Sequence, residues 1–164
     1  MSNQNVHHRF VANLVADAPD KPFVRNFELS SIVTVQSPRP FTIFVGFDAN
    51  SDGNPVNDRV GELARDTYLG DALRSVDLRL SRLIHLNERS ELQLSADSFN
   101  LLNRANVDEV FTVYGLPFFS LNGQALPVPK HYKDGVVDPV NPVFSSPRTM
   151  LNPRQFQFSA KFTF

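Results

Sequence analysis

The amino-acid sequence predicts an all-β fold, an antiparallel β-meander of about six strands, and two observations carry that prediction. Apolar and polar residues alternate along six runs, and a period of two is the pattern of a strand with one apolar face. The chain also contains 15 Phe and 12 Pro among its 164 residues. This balance favours short strands and structured loops over helices.

The six predicted strands differ in how clearly they alternate. They span residues 8–17, 26–36, 40–48, 76–86, 91–102 and 154–164. The last is the clearest, since one parity carries only the apolar residues Phe156, Phe158, Ala160, Phe162 and Phe164. The run 8–17 alternates least. The run 91–102 changes phase near its end, as a bulge or an exit from the sheet would cause.

The connections between these strands alternate in length. Residues 37–39 and 87–90 are tight turns, whereas 49–75 and 103–153 are long and rich in Pro, Gly and Asp. Long connections, with the one at 18–25, are therefore expected at one end of the sheet and the tight turns at the other. Strands of ~9 to 11 residues with short turns on one side and long loops on the other are typical of a transmembrane β-barrel.

Charge and composition exclude several classes of protein. Lys and Arg number 16 and Asp and Glu number 17, so the net charge of −1 gives no overall attraction to nucleic acid. The absence of Cys excludes disulfide scaffolds, thiolate zinc sites and cysteine nucleophiles. No apolar run reaches the ~18 residues of a membrane helix, and residues 1–7 form an N-terminal end too polar for an export signal.

Several segments resemble one known family. Phe156, Phe158, Phe162 and Phe164 match the C-terminal signal by which outer-membrane barrel proteins are recognised for assembly. Upstream of them stand Gln36-Ser-Pro-Arg-Pro-Phe41, Asp48-Ala-Asn-Ser-Asp-Gly53 with Asn57-Asp-Arg59, Ser75-Val-Asp-Leu-Arg-Leu-Ser-Arg82, Phe99-Asn-Leu-Leu-Asn-Arg104 with Asn106, and Asn152-Pro-Arg-Gln-Phe-Gln-Phe158. In this order, residues 8–164 resemble the C-terminal barrel segment of a TonB-dependent outer-membrane receptor, of the type with a carboxypeptidase-regulatory-like N-terminal domain.

The resemblance implies a barrel of about 22 strands with a plugged lumen, which takes up a nutrient through the cell outer membrane. The implied partners are outer-membrane lipid, the barrel-assembly machinery, a small ligand of unknown identity, and the inner-membrane energy-transducing TonB system. That system would be reached through an N-terminal part that precedes this segment in the family. Six strands are fewer than the ~8 of the smallest usual barrels, so we expect the chain to be an incomplete barrel that does not transport alone.

One loop matches the first half of a calcium-binding loop. The candidate ligands are Asp48, Asn50, Asp52 and Asn54, and Gly53 stands where such loops turn sharply. Position twelve carries Arg59 in place of the usual bidentate Glu, and no helices flank the loop. An Asp-, Asn- and Gly-rich turn without an ion is therefore the alternative. Calcium is the one cofactor that the sequence suggests.

The sequence contains no catalytic constellation. Its glycines form neither a nucleotide-binding fingerprint nor a nucleophile elbow, and its four His lack the spacing of a transition-metal site. The carboxylates Asp77, Glu91 and Asp97 lie on the polar parity of their strands, as expected for the solvated wall of a lumen. We therefore predict that the protein is not an enzyme.

Several interpretations stay open. A soluble β-sandwich, acting as a binding or adhesion module, would bury the same Phe-rich face in an ordinary core. Several copies of the chain could instead assemble a composite barrel. Residues 110–119 are interpreted as an extracellular hairpin, with a cap over a ligand as the alternative. By parity Arg82 faces lipid, which costs ~2 to 4 kcal/mol at the midplane of a bilayer but little near its interface.

Overall fold

The computed structural model describes residues 5–46, 48, 50–54, 58–59, 64–114, 141–144 and 146–164. In these residues the protein is all-β and contains no helix, which confirms the all-β part of the predicted fold class. Their strands are β1 (Arg9–Asp17), β2 (Phe27–Gln36), β3 (Pro40–Phe41), β4 (Tyr68–Leu69), β5 (Leu73–Asn87), β6 (Ser90–Phe99), β7 (Val107–Val110), β8 (Pro147–Met150) and β9 (Gln155–Thr163).

The chain divides into two compact units. The sheet unit consists of Arg9–Gln36, Leu73–Ala105 and Asn152–Phe164, and the loop unit consists of Met1–His8, Ser37–Ala72 and Asn106–Leu151.

The sheet unit is one antiparallel sheet in the order β1-β2-β5-β6-β9. Five of the six predicted strands are confirmed as its members. The phase change predicted near the end of 91–102 is an exit from the sheet, because β6 ends at Phe99 and Asn100 has a φ of 49°. The one shift of register in β5 lies between His85 and Asn87. Within the described residues the sheet is open, with β1 and β9 as its edges.

The predicted strand 40–48 is wrong as a member of this sheet. Of the residues of this run that the structure describes, only Pro40–Phe41 form a strand, which pairs with Tyr68–Leu69 in a separate two-stranded sheet, while Phe44 makes isolated bridges to Arg59 and Val113. Pro40 has no N–H to donate to a ladder, and Gly46 has a φ of 84°, which a strand does not use. As a result β2 pairs directly with β5, and the sheet has five strands rather than six.

This change of strand number corrects the predicted positions of the connections. Residues 18–26 and the tight turn 88–89 lie at the same end of the sheet, where β9 also finishes; we call this the turn end. The long connections 37–72 and 100–154 both leave the opposite end. The predicted position of connection 18–25 is therefore wrong, since it lies at the turn end, and residues 37–39 begin a long connection instead of forming a tight turn. The prediction that the long connections lie at one end of the sheet is confirmed for 37–72 and 100–154.

The loop unit has a small apolar core of its own. Its buried members are Ile43, Val45, Tyr68, Val110, Tyr114 and Phe144. The Phe144 ring lies 5.7 Å from the Tyr68 ring and 4.9 Å from the Tyr114 ring, measured between centroids. Such aromatic pairs add ~0.5 to 1.5 kcal/mol beyond the burial of their area. The alternation in 40–48 thus reflects burial of Ile43 and Val45 in this core.

Candidate functional site: the two faces of the five-stranded sheet

One face of the sheet is apolar across all five strands. The cross-strand pairs Phe10–Val35, Val33–Val76, Leu80–Ala96, Leu94–Ala160 and Leu92–Phe162 all lie on it. Because each pair joins neighbouring strands at the same register, the apolar side chains form one continuous surface, which we call the apolar face.

The apolar face is exposed. Phe10, Leu14, Leu80, Leu94 and Phe156 are all exposed, and Phe158 reaches 79%. Phe162 and Phe164 stack with their centroids 5.8 Å apart, and the terminal Phe164 is 92% exposed. A surface of this kind exceeds the scattered apolar residues of an ordinary soluble surface and marks a site of contact with an apolar phase or partner.

The opposite face, which we call the polar face, carries a hydrogen-bonded network at its centre. Arg79 Nε lies 3.5 Å from Asp97 Oδ1, and Arg79 Nη2 donates to Ser95 Oγ at 3.1 Å. A hydrogen bond joins the hydroxyls of Ser95 and Ser159. The network therefore links β5, β6 and β9 through side chains. The prediction that Asp97 lies on the polar face is confirmed.

The polar face is not polar throughout. Val11, Val15 and Ile32 lie on it and are exposed, next to the β1 edge. The weak alternation of residues 8–17 has its cause here, since β1 carries apolar residues on both faces. The sequence does not reveal this patch, because apolar residues on both faces of a strand remove the alternation by which a strand is recognised.

Arg82 lies on the apolar face, as its parity predicts. It pairs in register with Phe27 on one side and Leu94 on the other, and its guanidinium carbon lies 4.9 Å from the centre of the Phe27 ring. A cation over an aromatic face gains ~0.5 to 1 kcal/mol at an exposed site. Phe27 is the first residue of β2, so Arg82 stands at the turn end of the apolar face.

Asn100, in the segment Phe99-Asn-Leu-Leu-Asn-Arg104, is a buried polar residue whose side chain makes several hydrogen bonds. Only 6% exposed, it donates through Nδ2 to the carbonyls of Arg104 (2.9 Å) and Asn152 (3.2 Å). Its Oδ1 accepts from the Arg104 N–H at 3.1 Å, and its own N–H donates to Asp77 Oδ1 at 2.8 Å. The side chain thus holds the exit of β6 against the entrance of β9.

Asn103 and Arg154 add to the same junction. Asn103 Oδ1 accepts from the Arg154 N–H at 3.1 Å, and Arg154 Nη1 donates to the Leu101 carbonyl at 3.4 Å. The Arg154 guanidinium also lies over the Phe156 ring, at 5.7 Å from its centre. The Asn and Arg residues of these two segments therefore have a structural role in the sheet unit.

The candidate calcium ligands lie in a loop whose side chains bind its own backbone. Asp48 Oδ1 and Oδ2 accept from the N–H groups of Asp52 (3.0 Å) and Gly53 (2.8 Å). Asp52 Oδ1 accepts from the Asn54 N–H at 2.8 Å, and Asn50 Nδ2 donates to Asp52 Oδ2 at 3.1 Å. The described residues contain no group of three or more His, Asp or Glu placed to hold a metal ion. Calcium binding stays a prediction.

The apolar run 110–119 lies only partly within the described residues. Val110 ends β7, which pairs with β8, and Val113 bridges Phe44. The predicted hairpin needs residues 115–119 as well and stays a prediction. Val110 and Tyr114 are buried in the core of the loop unit. Residues 115–119 lie outside the described residues, as does His131.

Comparisons with known proteins found no relative. The chain matches no family model, no curated protein and no solved structure. The described part of the chain holds no helix long and apolar enough to cross a membrane.

Proposed function

We propose that the chain is the C-terminal part of the barrel of an outer-membrane TonB-dependent receptor, a transporter for nutrient uptake. One observation carries the proposal: a five-stranded antiparallel meander has a continuous, exposed apolar face opposite a face with an ion-paired network. In a membrane barrel the apolar side faces lipid and the polar side faces the lumen. The apolar face would contact outer-membrane lipid, and the Arg79–Asp97 pair would line the lumen.

The connections support the same proposal. Both long connections leave one end of the sheet, and both short ones lie at the other end with the finish of β9. Outer-membrane barrels have short periplasmic turns and longer extracellular loops. In this arrangement the long connections leave the sheet on the extracellular side, and the turn end and Phe164 are periplasmic. The exposed Phe residues of β9 would be read by the barrel-assembly machinery.

Five strands supply only part of a barrel wall. The remaining strands, a plug and the contact with the inner-membrane TonB system would come from the rest of the receptor, and this segment alone would not transport. The function proposed here is non-enzymatic. The transported ligand would be a small molecule, and the polar face would meet it in the lumen.

The soluble β-sandwich, a binding or adhesion module, is the competing function. A sandwich needs a second layer over its apolar face, and most of the apolar residues of β9 would have to lie beneath it. In the described residues all of β9 is exposed. This observation favours the barrel, and solubility separates the two: a barrel segment is insoluble without detergent, whereas a sandwich melts cooperatively as a monomer in buffer.

The first test is an immunoblot of fractionated source cells with an antibody to residues 154–164. We expect a band in the outer-membrane fraction that is several times larger than the 18.5 kDa of this chain. A band at 18.5 kDa in the soluble fraction would contradict the proposal. A band at that size in the membrane would point instead to a composite barrel.

A matched pair of variants on β9 tests which face contacts lipid. Phe158→Arg places a charge on the apolar face, and Gln157→Arg places the same charge on the polar face one residue away. We expect Phe158→Arg to lower the stability of the protein in vesicles by ~2 to 4 kcal/mol, while Gln157→Arg changes little. Equal effects of the two substitutions would contradict a lipid-facing role for the apolar face.

A further inference from the structure

The turn end of the apolar face carries a cleft with two arginines. The cleft has a volume of about 380 Å³ and is lined by Asp20, Arg25, Asn26 and residues 82–85. It lies where β5 extends beyond the first residue of β2, so that the connection 18–26, rather than a strand, flanks β5. The Leu83 N–H donates to the Asn26 carbonyl at 2.9 Å, which fixes the connection to β5 at this point.

Within the described residues, neither arginine has a carboxylate partner. The guanidinium carbon of Arg82 lies over the Phe27 ring, 4.9 Å from its centre. A guanidinium that stacks through its face keeps the N–H groups at its edge, and these match the oxygens of a phosphate. Arg25 is held by a backbone hydrogen bond from its N–H to the Lys21 carbonyl (3.1 Å), while its side chain is exposed. Asp20 is the one carboxylate lining the cleft beside them.

The connection that supplies Arg25 also presents an aromatic side chain. Phe23 is 90% exposed and has a φ of 77°. A bulky residue with positive φ is a rare and strained conformation, and such strain points to a functional constraint. Hydrogen bonds from the Val24 and Arg25 N–H groups to the Lys21 carbonyl hold this shape. Outer-membrane barrels carry girdles of aromatic residues at both interfaces between membrane and water.

We propose that Arg25 and Arg82 bind the phosphate of an anionic phospholipid headgroup. The apolar face begins directly beside the cleft, at Leu80, Ile84 and Leu94, so acyl chains would lie along it while the phosphate meets the two guanidiniums. Charge complementarity and the adjoining apolar surface together select a lipid over a free anion. The assignment rests on the proposed function, because it requires the apolar face to contact lipid. It also accounts for the charge of Arg82 on that face.

The test uses the full chain in vesicles made of equal parts of phosphatidylcholine and phosphatidylglycerol. After extraction in mild detergent, mass spectrometry measures the lipid that stays bound. We expect phosphatidylglycerol to be enriched by about fivefold for each arginine. The double variant Arg25→Gln/Arg82→Gln should retain the two lipids in the ratio of the bilayer. Arg89→Gln, in the tight turn at the same end but outside the cleft, is the matched control and should keep the enrichment.

Each other outcome overturns the assignment. Unchanged enrichment in the double variant, or an equal loss in Arg89→Gln, would show that the cleft does not select the lipid. Stabilisation of the detergent-solubilised chain by inorganic phosphate, to the same extent as by phosphatidylglycerol, would make the ligand a free anion. If the double variant misfolds, Arg25→Gln alone decides, since Arg25 lies outside the strands. A chain that inserts without lipid preference refutes only the site, whereas one that never inserts refutes the proposed function too.

Discussion

Replacing Asn100 should destabilise the sheet unit more than any change at an exposed neighbour. Asn100→Ala removes three side-chain hydrogen bonds, two donated to carbonyls and one accepted from an N–H. At ~1 kcal/mol each they contribute about 3 kcal/mol, and Ala in the left-handed region costs a further ~1 kcal/mol. The expected loss is therefore about 4 kcal/mol. Asn100→Gly tolerates the φ of 49° and should lose about 3 kcal/mol.

Urea unfolding of the chain in detergent micelles, followed by far-ultraviolet circular dichroism, measures this loss. With a slope of ~2 kcal/mol per molar urea, the midpoint should fall by about 2 M for Asn100→Ala and about 1.5 M for Asn100→Gly. Leu102→Ala is the matched control, because Leu102 is exposed and lies two residues away. A midpoint for Asn100→Ala within about 0.3 M of that control would refute the structural role of this junction.

Three further predictions concern the loop unit and the polar face. Gly46 and Gly53 both have a positive φ, which costs an alanine about 1 kcal/mol at either position. Gly46→Ala should cost about 2 to 4 kcal/mol in thermal unfolding, because its Cβ would also lie 2.5 Å from a methyl of Val113, whereas the Cβ of Gly53→Ala meets open space. Equal costs would contradict this packing. In a double-mutant cycle of unfolding free energies, Arg79→Met with Asp97→Asn should give a coupling of about 1 kcal/mol, and additive effects would show that the ion pair contributes nothing. If Asp48 is a calcium ligand, as its loop predicts, EDTA should increase proteolysis of the loop and added calcium should restore protection; proteolysis that EDTA leaves unchanged would support the turn without an ion.

The alternation of apolar and polar residues correctly predicted the five strands of the sheet, because side chains of a strand alternate between its two faces. It failed in 40–48, where burial outside the sheet produces the same alternation. In 40–48 the alternate residues Ile43 and Val45 are buried in the small core of the loop unit and not on a face of the five-stranded sheet. The local evidence against a strand was present in Pro40 and Gly46, but their meaning depends on φ and on hydrogen-bonding partners. Because successive antiparallel strands run in opposite directions, one extra strand at 40–48 placed the connections 18–25 and 37–39 at the wrong ends of the sheet.

The candidate surfaces were predictable to different degrees. The apolar face and the position of Arg82 follow from parity alone, since side chains alternate strictly along a strand. The cleft does not, because it depends on a turn that brings Arg25 beside β5 and on the positive φ of Phe23. The role of Asn100 also depends on contacts with residue 152, which lies far along the chain. Sequence patterns show the periodicity of one segment, whereas the cleft and the Asn100 junction form only where segments that are distant in sequence come into contact.

The number of strands has a consequence for the way the edges of the sheet can be completed. In an antiparallel order of five, β1 and β9 point in the same direction. If identical copies stood side by side with one orientation in a membrane, β9 of each copy would lie next to β1 of the following copy. These two strands would form a parallel pair at every junction between copies. A wholly antiparallel wall therefore requires neighbours of opposite direction at both edges. Strands that differ from these two have to provide them.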